Sequence, residues 1–201
     1  MRGHVVTVGI VIMLAGCALP GGQIDATTAP SPNVDSPWTE VSDGTRACSA
    51  GDSWTVTVVD VVDADTMDVR YRNGSRETIR LLGVDAPEPR AAVTPEEWDG
   101  IPDTDAGRTW LREWGENASR FAEERLAGKR IRIVTDPMAG RRGGYGRVLV
   151  YVLIDGTVFG EQLLKSGYAR RYETTFELSD RFAAAENRAQ TAERGVWGFE
   201  T

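Results

Sequence analysis

Two short acidic pairs are the residues in this chain whose types and spacing could do chemistry. Asp63 and Asp65 stand in Val62-Asp63-Ala64-Asp65-Thr66, and Asp85 and Glu88 in Asp85-Ala86-Pro87-Glu88. Carboxylates gathered without histidine or thiolate select a hard cation such as Ca²⁺ or Mg²⁺. On pattern alone the other reading is solvated turn residues at strand ends. Arginine adds weight to the first. Arg80 lies in the otherwise apolar run Ile79-Arg80-Leu81-Leu82, where a charge costs several kcal/mol unless it is paired or meets a ligand. Arg147 follows Tyr145-Gly146, and guanidinium offers fixed, paired donors suited to phosphate oxygens. Either arginine alone would read as a structural ion-pair partner; with the carboxylates, the set points to phosphoryl chemistry. The only histidine is His4, in a leader expected to be removed, so a histidine base or histidine-ligated zinc is excluded from the domain. A hydrolase built on these residues must take its base from a carboxylate or from metal-bound water.

Strands and helices must position these groups. Trp54 to Val61 is β-branched throughout, and Thr66–Arg72 and Arg76–Val84 flank Asn73-Gly74, a strong hairpin signal. Lys129–Thr135 and Arg147–Ile154 complete five expected strands. If Arg72 pairs with Ser75, Asp65 falls opposite Leu82, and Asp85 lies about 10 Å further along a straight strand. A bend at Gly83 is then required for both aspartates to reach one ion. Three helices are expected: Asp105–Ala127, bent or broken at Gly115; Phe159–Ser166; and Leu178–Arg194. Segment 89–104, polar and holding three prolines, reads as a surface loop beside the site. Gly140 to Arg147 is a glycine-rich basic loop that either cradles phosphate or simply connects strands. The pattern is that of an α+β domain built on a five-stranded OB-type β-barrel with three helices.

Ahead of that domain, residues 1–16 read as a signal peptide. A basic start is followed by an apolar run from Val5 to Ala15, roughly half the length that spans a bilayer as a helix. Leu14-Ala15-Gly16-Cys17 resembles a lipobox, so Cys17 is the expected lipidation site; an ordinary cleaved signal with an incidental cysteine is the alternative. Residues 17–50, rich in Pro, Gly, Ser, Thr and Asp, read as a flexible linker that carries the lipid, with the folded domain over 51–201. The expected location is the outer face of the cell membrane. With two cysteines in the chain there is no disulfide framework, and Cys48 is a free thiol, an intermolecular bridge or a small buried hydrophobe. Asn73-Gly-Ser and Asn117-Ala-Ser match glycosylation sequons, though Asn73 is already accounted for by its turn.

Net charge is −7, and Lys129 and Lys165 are the only lysines. Acidic excess with scarce lysine resembles adaptation to high salt, where the Debye length falls to about 3 Å and an acidic surface barely repels a polyanion. Charge therefore neither argues for nor excludes nucleic acid.

Val62-Asp-Ala-Asp-Thr66, Ile79-Arg-Leu-Leu-Gly-Val-Asp-Ala-Pro-Glu88, Tyr145-Gly-Arg147 and Gly195-Val-Trp197, in that order, resemble the staphylococcal nuclease (thermonuclease) family. Trp114-Gly-Glu-Asn-Ala-Ser119 fits as well, and the likeness runs from about Trp54 to Trp197. It implies Asp65, Asp85 and the backbone carbonyl of Ala86 as Ca²⁺ ligands, Glu88 as the carboxylate that activates water, and Arg80 and Arg147 on the scissile phosphate. Tyr145 would lie on the nucleotide-binding face, with Tyr172 near a second such position. The implied activity is calcium-dependent cleavage of DNA and RNA at the 5′-oxygen, leaving 3′-phosphate ends, by a monomeric domain. A non-catalytic binding module on the same barrel is the alternative, but degenerate copies of that kind lose several of these side chains and here all five are present. Departures from the pattern are Ala64 for a glycine, Ala86 for a threonine, Gly143-Gly144 where acidic and lysine residues are usual, and the longer 89–104 loop.

Overall fold

Alternating β-branched residues dictate the first element. In the computed structural model, which describes residues 51–200, β1 (Ser53–Val61) turns Val56 and Val58 inward and Ser53, Thr55 and Asp60 outward. The expected signal peptide, the expected lipidation site Cys17, the expected linker to residue 50 and Cys48 lie outside the described residues. A register shift between Val58 and Asp60 bends β1, so its first half pairs with β5 (Arg130–Val134) and its second with β2 (Thr66–Arg70). β3 (Arg76–Leu81) follows β2, and β6 (Val148–Ile154) follows β5. Parallel pairing of β3 with β6 closes the five strands into a barrel, with Ile79, Arg80 and Leu81 opposite Val148, Leu149 and Val150. Three short additions were not expected: β4 (Val84–Asp85), β7 (Thr157–Val158) and β8 (Arg170–Arg171).

Helices α1 (Asp105–Leu126), α2 (Phe159–Lys165) and α3 (Ser179–Thr191) cover the barrel. Leu126, Leu163, Leu164 and Phe182 are buried against Met67, Ile79 and Val150 in one core. Each such side chain is worth about 1.5–3 kcal/mol of burial. The Thr104 hydroxyl accepts the Gly107 N–H at 3.2 Å, which fixes the start of α1.

Three expectations need correction. The hairpin register is displaced by one residue: Thr66 lies opposite Arg80 and Arg70 opposite Arg76. The turn is the reason. The Tyr71 N–H donates to Ser75 O at 2.9 Å and the Gly74 N–H to Tyr71 O at 3.0 Å, giving a three-residue loop with Gly74 at φ +86°. A one-residue slip exchanges the two faces of a strand. The register expected from the sequence would have set Arg80 opposite buried Met67; the observed one sets it on the face of Thr66.

Gly115 does not break α1. A Cβ there would stand 2.5 Å from the Pro87 carbonyl oxygen, so the glycine lets the helix press against the strand-end segment that carries Asp85 and Glu88. Segment 89–104 is not merely a surface loop. It forms a 3-10 turn at Pro95–Glu97, and Val93, Trp98 and Ile101 are buried with Leu111 and Val196 in a second small core.

Gly83, by contrast, behaves as expected. It takes φ +71°, ends β3 and turns the chain into β4, and a Cβ there would meet the Phe176 ring at 2.3 Å. Ala64 carries no left-handed strain, because among the described residues the non-glycine positions with positive φ are Asp155 and Glu193.

Replacing Gly115 with alanine should destabilise the domain by about 1–3 kcal/mol, through overpacking against Pro87. Chemical denaturation measures this, and an unchanged midpoint would show that the helix and the Pro87 segment are not in tight contact.

Candidate active site

The closing seam of the barrel assembles the charged residues. Arg80 is opposite Leu149 across β3 and β6, and Arg147 stands two residues earlier along the same chain, on the same face. Asp65 closes the turn before β2, and Asp85 lies in β4 beyond the Gly83 bend. Arg80 joins the two. Its Nη1 donates to Asp65 Oδ1 at 2.5 Å and its Nη2 to Asp85 Oδ1 at 2.6 Å. The bend at Gly83 brings both aspartates to one positive group, the Arg80 guanidinium.

Asp65 is almost wholly buried, at 2% exposure. Its Oδ1 also accepts the Thr66 hydroxyl at 3.0 Å, its Oδ2 accepts the Ala86 N–H at 3.0 Å, and its backbone N–H donates to Asp63 Oδ1 at 3.1 Å. Burial pushes the Asp65 carboxyl well above the usual carboxylate range; Arg80 and the Ala86 N–H oppose that rise, while Asp63 and Asp85 add to it. Arg80 is thus the main group offsetting the effect of burial on Asp65. For Arg80 itself burial works against the charge, but Asp65 and Asp85 outweigh it and raise its pKa. Removing this arginine would strand a buried carboxylate, so it serves structure as well as any ligand.

Arg147 donates to the Thr66 hydroxyl at 3.0 Å, and its guanidinium lies 5.4 Å from the centre of the Tyr145 ring. Arg147, Tyr145, Glu88, Glu77 and Thr78 line one open hollow. A second hollow adjoins it, bounded by Asp85, Glu88, Tyr145, Tyr172 and Arg170 on one side and Thr94, Glu97 and Trp98 of the 89–104 segment on the other. Tyr145 at 89% exposure and Tyr172 at 52% present faces that a ring could stack on. Glu88 borders both hollows. Burial and the negative charge of Asp63 raise its carboxyl above the ordinary range, with Arg80 pulling the other way.

All the expected site residues of the domain therefore meet at one place: Asp65, Asp85, Ala86, Arg80, Glu88 and Arg147 directly, Tyr145 and Tyr172 at its rim. Thr66 was quoted in a motif but given no role, and its hydroxyl links Asp65 to Arg147. Arg170 was not singled out at all, yet it pairs with Asp85 at 2.7 Å. Gly140 to Arg147 serves as a connection: Arg142 bonds Glu77 at 2.8 Å and the Gly143 N–H donates to Arg147 O at 3.0 Å.

The donor chemistry fits a hard divalent cation. Asp65 and Asp85 supply carboxylate oxygens that already converge on one positive group, and the Ala86 N–H ties the end of that strand to Asp65. Among the described residues no group of three or more His, Cys, Asp or Glu side chains is arranged to hold an ion, so backbone carbonyl and water would complete the coordination.

Fold and site together define a class: an OB-type barrel whose closing strands bring paired carboxylates and paired arginines to one edge. The Staphylococcal nuclease homologue family matches residues 78–198, and the chain belongs to that family. An uncharacterized protein of Methanocaldococcus jannaschii is 43% identical over 149 residues, covering 71% of this chain and 70% of the relative. The thermonuclease of Staphylococcus hyicus is 26% identical over 194 residues, with 96% and 97% covered. Endonuclease YncB of Bacillus subtilis is 33% identical over 148 residues, with 71% and 61% covered.

Thr66→Val keeps the shape and removes the hydroxyl between Asp65 and Arg147. It should cost about 1 kcal/mol of stability and reduce turnover of any phosphodiester substrate by about tenfold, an effect equivalent to about 1.4 kcal/mol at the transition state. Unchanged turnover in the folded variant would mean that Thr66 does not help to place Arg147.

Proposed function

We propose that the protein is a calcium-dependent endonuclease that hydrolyses phosphodiester bonds of DNA or RNA at the 5′-oxygen and leaves 3′-phosphate ends. The observation that carries this reading is the convergence at the barrel seam: Asp65 and Asp85 on Arg80 at 2.5 and 2.6 Å, with Arg147 reaching Thr66 at 3.0 Å. Membership of the Staphylococcal nuclease homologue family and similarity to proteins named thermonuclease and endonuclease support it.

Asp65, Asp85 and the Ala86 carbonyl are the groups that would hold Ca²⁺. Bound there, the ion would offset negative charge on the phosphate and favour ionisation of water. Arg147 stands free of carboxylate partners in the contacts of the site and is the arginine poised to take a phosphate oxygen. Arg80 contributes the second guanidinium and holds the aspartates. Together they stabilise the charge that develops as water adds to phosphorus. Glu88 receives the proton of that water; its raised pKa brings it nearer to neutral pH, where a base works best. The bond to the 5′-oxygen breaks and the phosphate stays with the 3′-oxygen. Tyr145 and Tyr172 offer stacking faces for the flanking bases.

We also propose export, with lipid carried on Cys17 and residues 17–50 acting as a tether to the outer face of the membrane. The support is the apolar run from Val5 ending in Leu14-Ala15-Gly16-Cys17.

Arg147→Ala and Glu88→Gln should each reduce cleavage of single-stranded DNA by about 10²–10³-fold, as removal of a transition-state donor or base does, with melting temperatures near the parent's. Arg80→Lys is the fitting third variant, since alanine there would strand Asp65. Parental rates in all three would refute the assignment. For the anchor, the Cys17→Ser variant should leave the membrane fraction; a variant processed and retained like the parent would contradict lipidation.

A further inference from the structure

Arg170 reaches the site from a strand with no expected part in it. β8 pairs antiparallel with β4, and Asp85 stands directly opposite Arg170. The Arg170 Nη2 forms an ion pair with Asp85 Oδ2 at 2.7 Å, while the Arg80 Nη2 donates to Asp85 Oδ1 at 2.6 Å. Both oxygens of Asp85 are therefore held, from two directions, by groups on two different sheets.

Arg170 is itself seated by the 89–104 segment. Its Nη2 also lies 2.9 Å from Glu97 Oε2, and its guanidinium stands 5.7 Å from the Trp98 ring centre. Trp98 is 4% exposed, in the small core with Ile101, Leu111 and Val196, and its ring packs at 5.6 Å on Trp197. The Arg170 Nε is buried without a hydrogen-bond partner, so the Nη2 contacts and the tryptophan face are what orient the guanidinium plane. A chain of contacts thus runs from the α1 and C-terminal packing, through Trp98 and Glu97, to the carboxylate of Asp85.

We propose that Arg170 is a positioning residue: clamped between Glu97 and Trp98, it fixes the rotation of the Asp85 carboxylate and thereby sets the affinity of the site for a divalent cation. This rests on the reading of Asp65 and Asp85 as ion ligands. Two effects of Arg170 oppose each other. Its charge alone would repel a cation, and its grip on Oδ2 spares the carboxylate the entropy of being ordered when the ion arrives. Glu97 decides between them, because a second carboxylate on the same Nη2 offsets the charge and leaves the orientation. Loss of an outer partner of this kind typically costs 10–100-fold in metal affinity.

The test is calorimetric titration of Ca²⁺ into chelator-stripped full-length protein, with thermal melting in chelator to establish folding. Arg170→Met should bind Ca²⁺ about tenfold more weakly than the parent. Arg170→Lys, which keeps the charge and loses the planar guanidinium seated on Trp98, should lie between the two. Glu97→Gln should lose several-fold, because the arginine charge is then uncompensated. The Ca²⁺ concentration giving half-maximal cleavage should move in parallel. Unchanged or tighter Ca²⁺ binding by folded Arg170→Met would overturn the inference. If that variant does not fold, Arg170→Lys carries the test, and parental affinity there overturns it. The ion-ligand reading fails separately: Asp85→Ala that binds Ca²⁺ like the parent, or a parent that binds none, removes that reading and the inference with it.

Discussion

A guanidinium that is mostly withdrawn from water must be paired, and in this protein the pairing of Arg80 organises everything around it. Its side chain is 16% exposed and lies between two carboxylates at the open end of the β2–β3 hairpin, one before β2 and one after β3. Asp65 pays a large desolvation penalty for its position, and that arginine is the main group offsetting it. The register of the hairpin, the bend at Gly83 and the parallel seam between β3 and β6 all serve this one contact. Shift the register by one residue and Arg80 is directed into the barrel core instead of toward Asp65.

The seam explains why two arginines far apart in sequence both reach the Thr66 hydroxyl. Arg80 comes from the end of a hairpin strand and Arg147 from the start of β6, and only the closure of the barrel makes them neighbours. Thr66 sits between them, with a hydroxyl that bonds Asp65 and accepts from Arg147. Carboxylates and guanidiniums thus share one small polar edge on an otherwise apolar core. The proposed cation and phosphate chemistry would then operate side by side, with Glu88 and the two tyrosines at the rim.

Much of this was legible in the sequence, and the omissions have physical causes. β-branched runs and glycine stops announced the five strands and three helices, and the bend at Gly83 followed from the need to bring Asp85 back toward Asp65. The hairpin register was missed because a three-residue loop and a two-residue loop share the same Asn73-Gly74 signal; the Tyr71 and Ser75 bonds that distinguish them are not written locally. Segment 89–104 was misread because Trp98 and Ile101 are buried by Leu111 and Val196, partners that no periodicity within the segment reveals. Arg170 escaped notice for a similar reason: a two-residue strand pairing with another two-residue strand 85 positions away leaves no pattern. Gly115 looked like a helix breaker because the close approach of Pro87, which gives it a purpose, is a tertiary fact.

The central claim is that the carboxylates at the seam hold a cation without which the arginines cannot cleave. Incubating the purified protein with plasmid DNA in Ca²⁺, with and without a chelator and across a salt series, tests it most directly. The account predicts nicking and linearisation in Ca²⁺ that stop on chelation and return when Ca²⁺ is restored. Cleavage that persists undiminished in chelator, or DNA bound but left intact in saturating Ca²⁺ at every salt concentration, would contradict it.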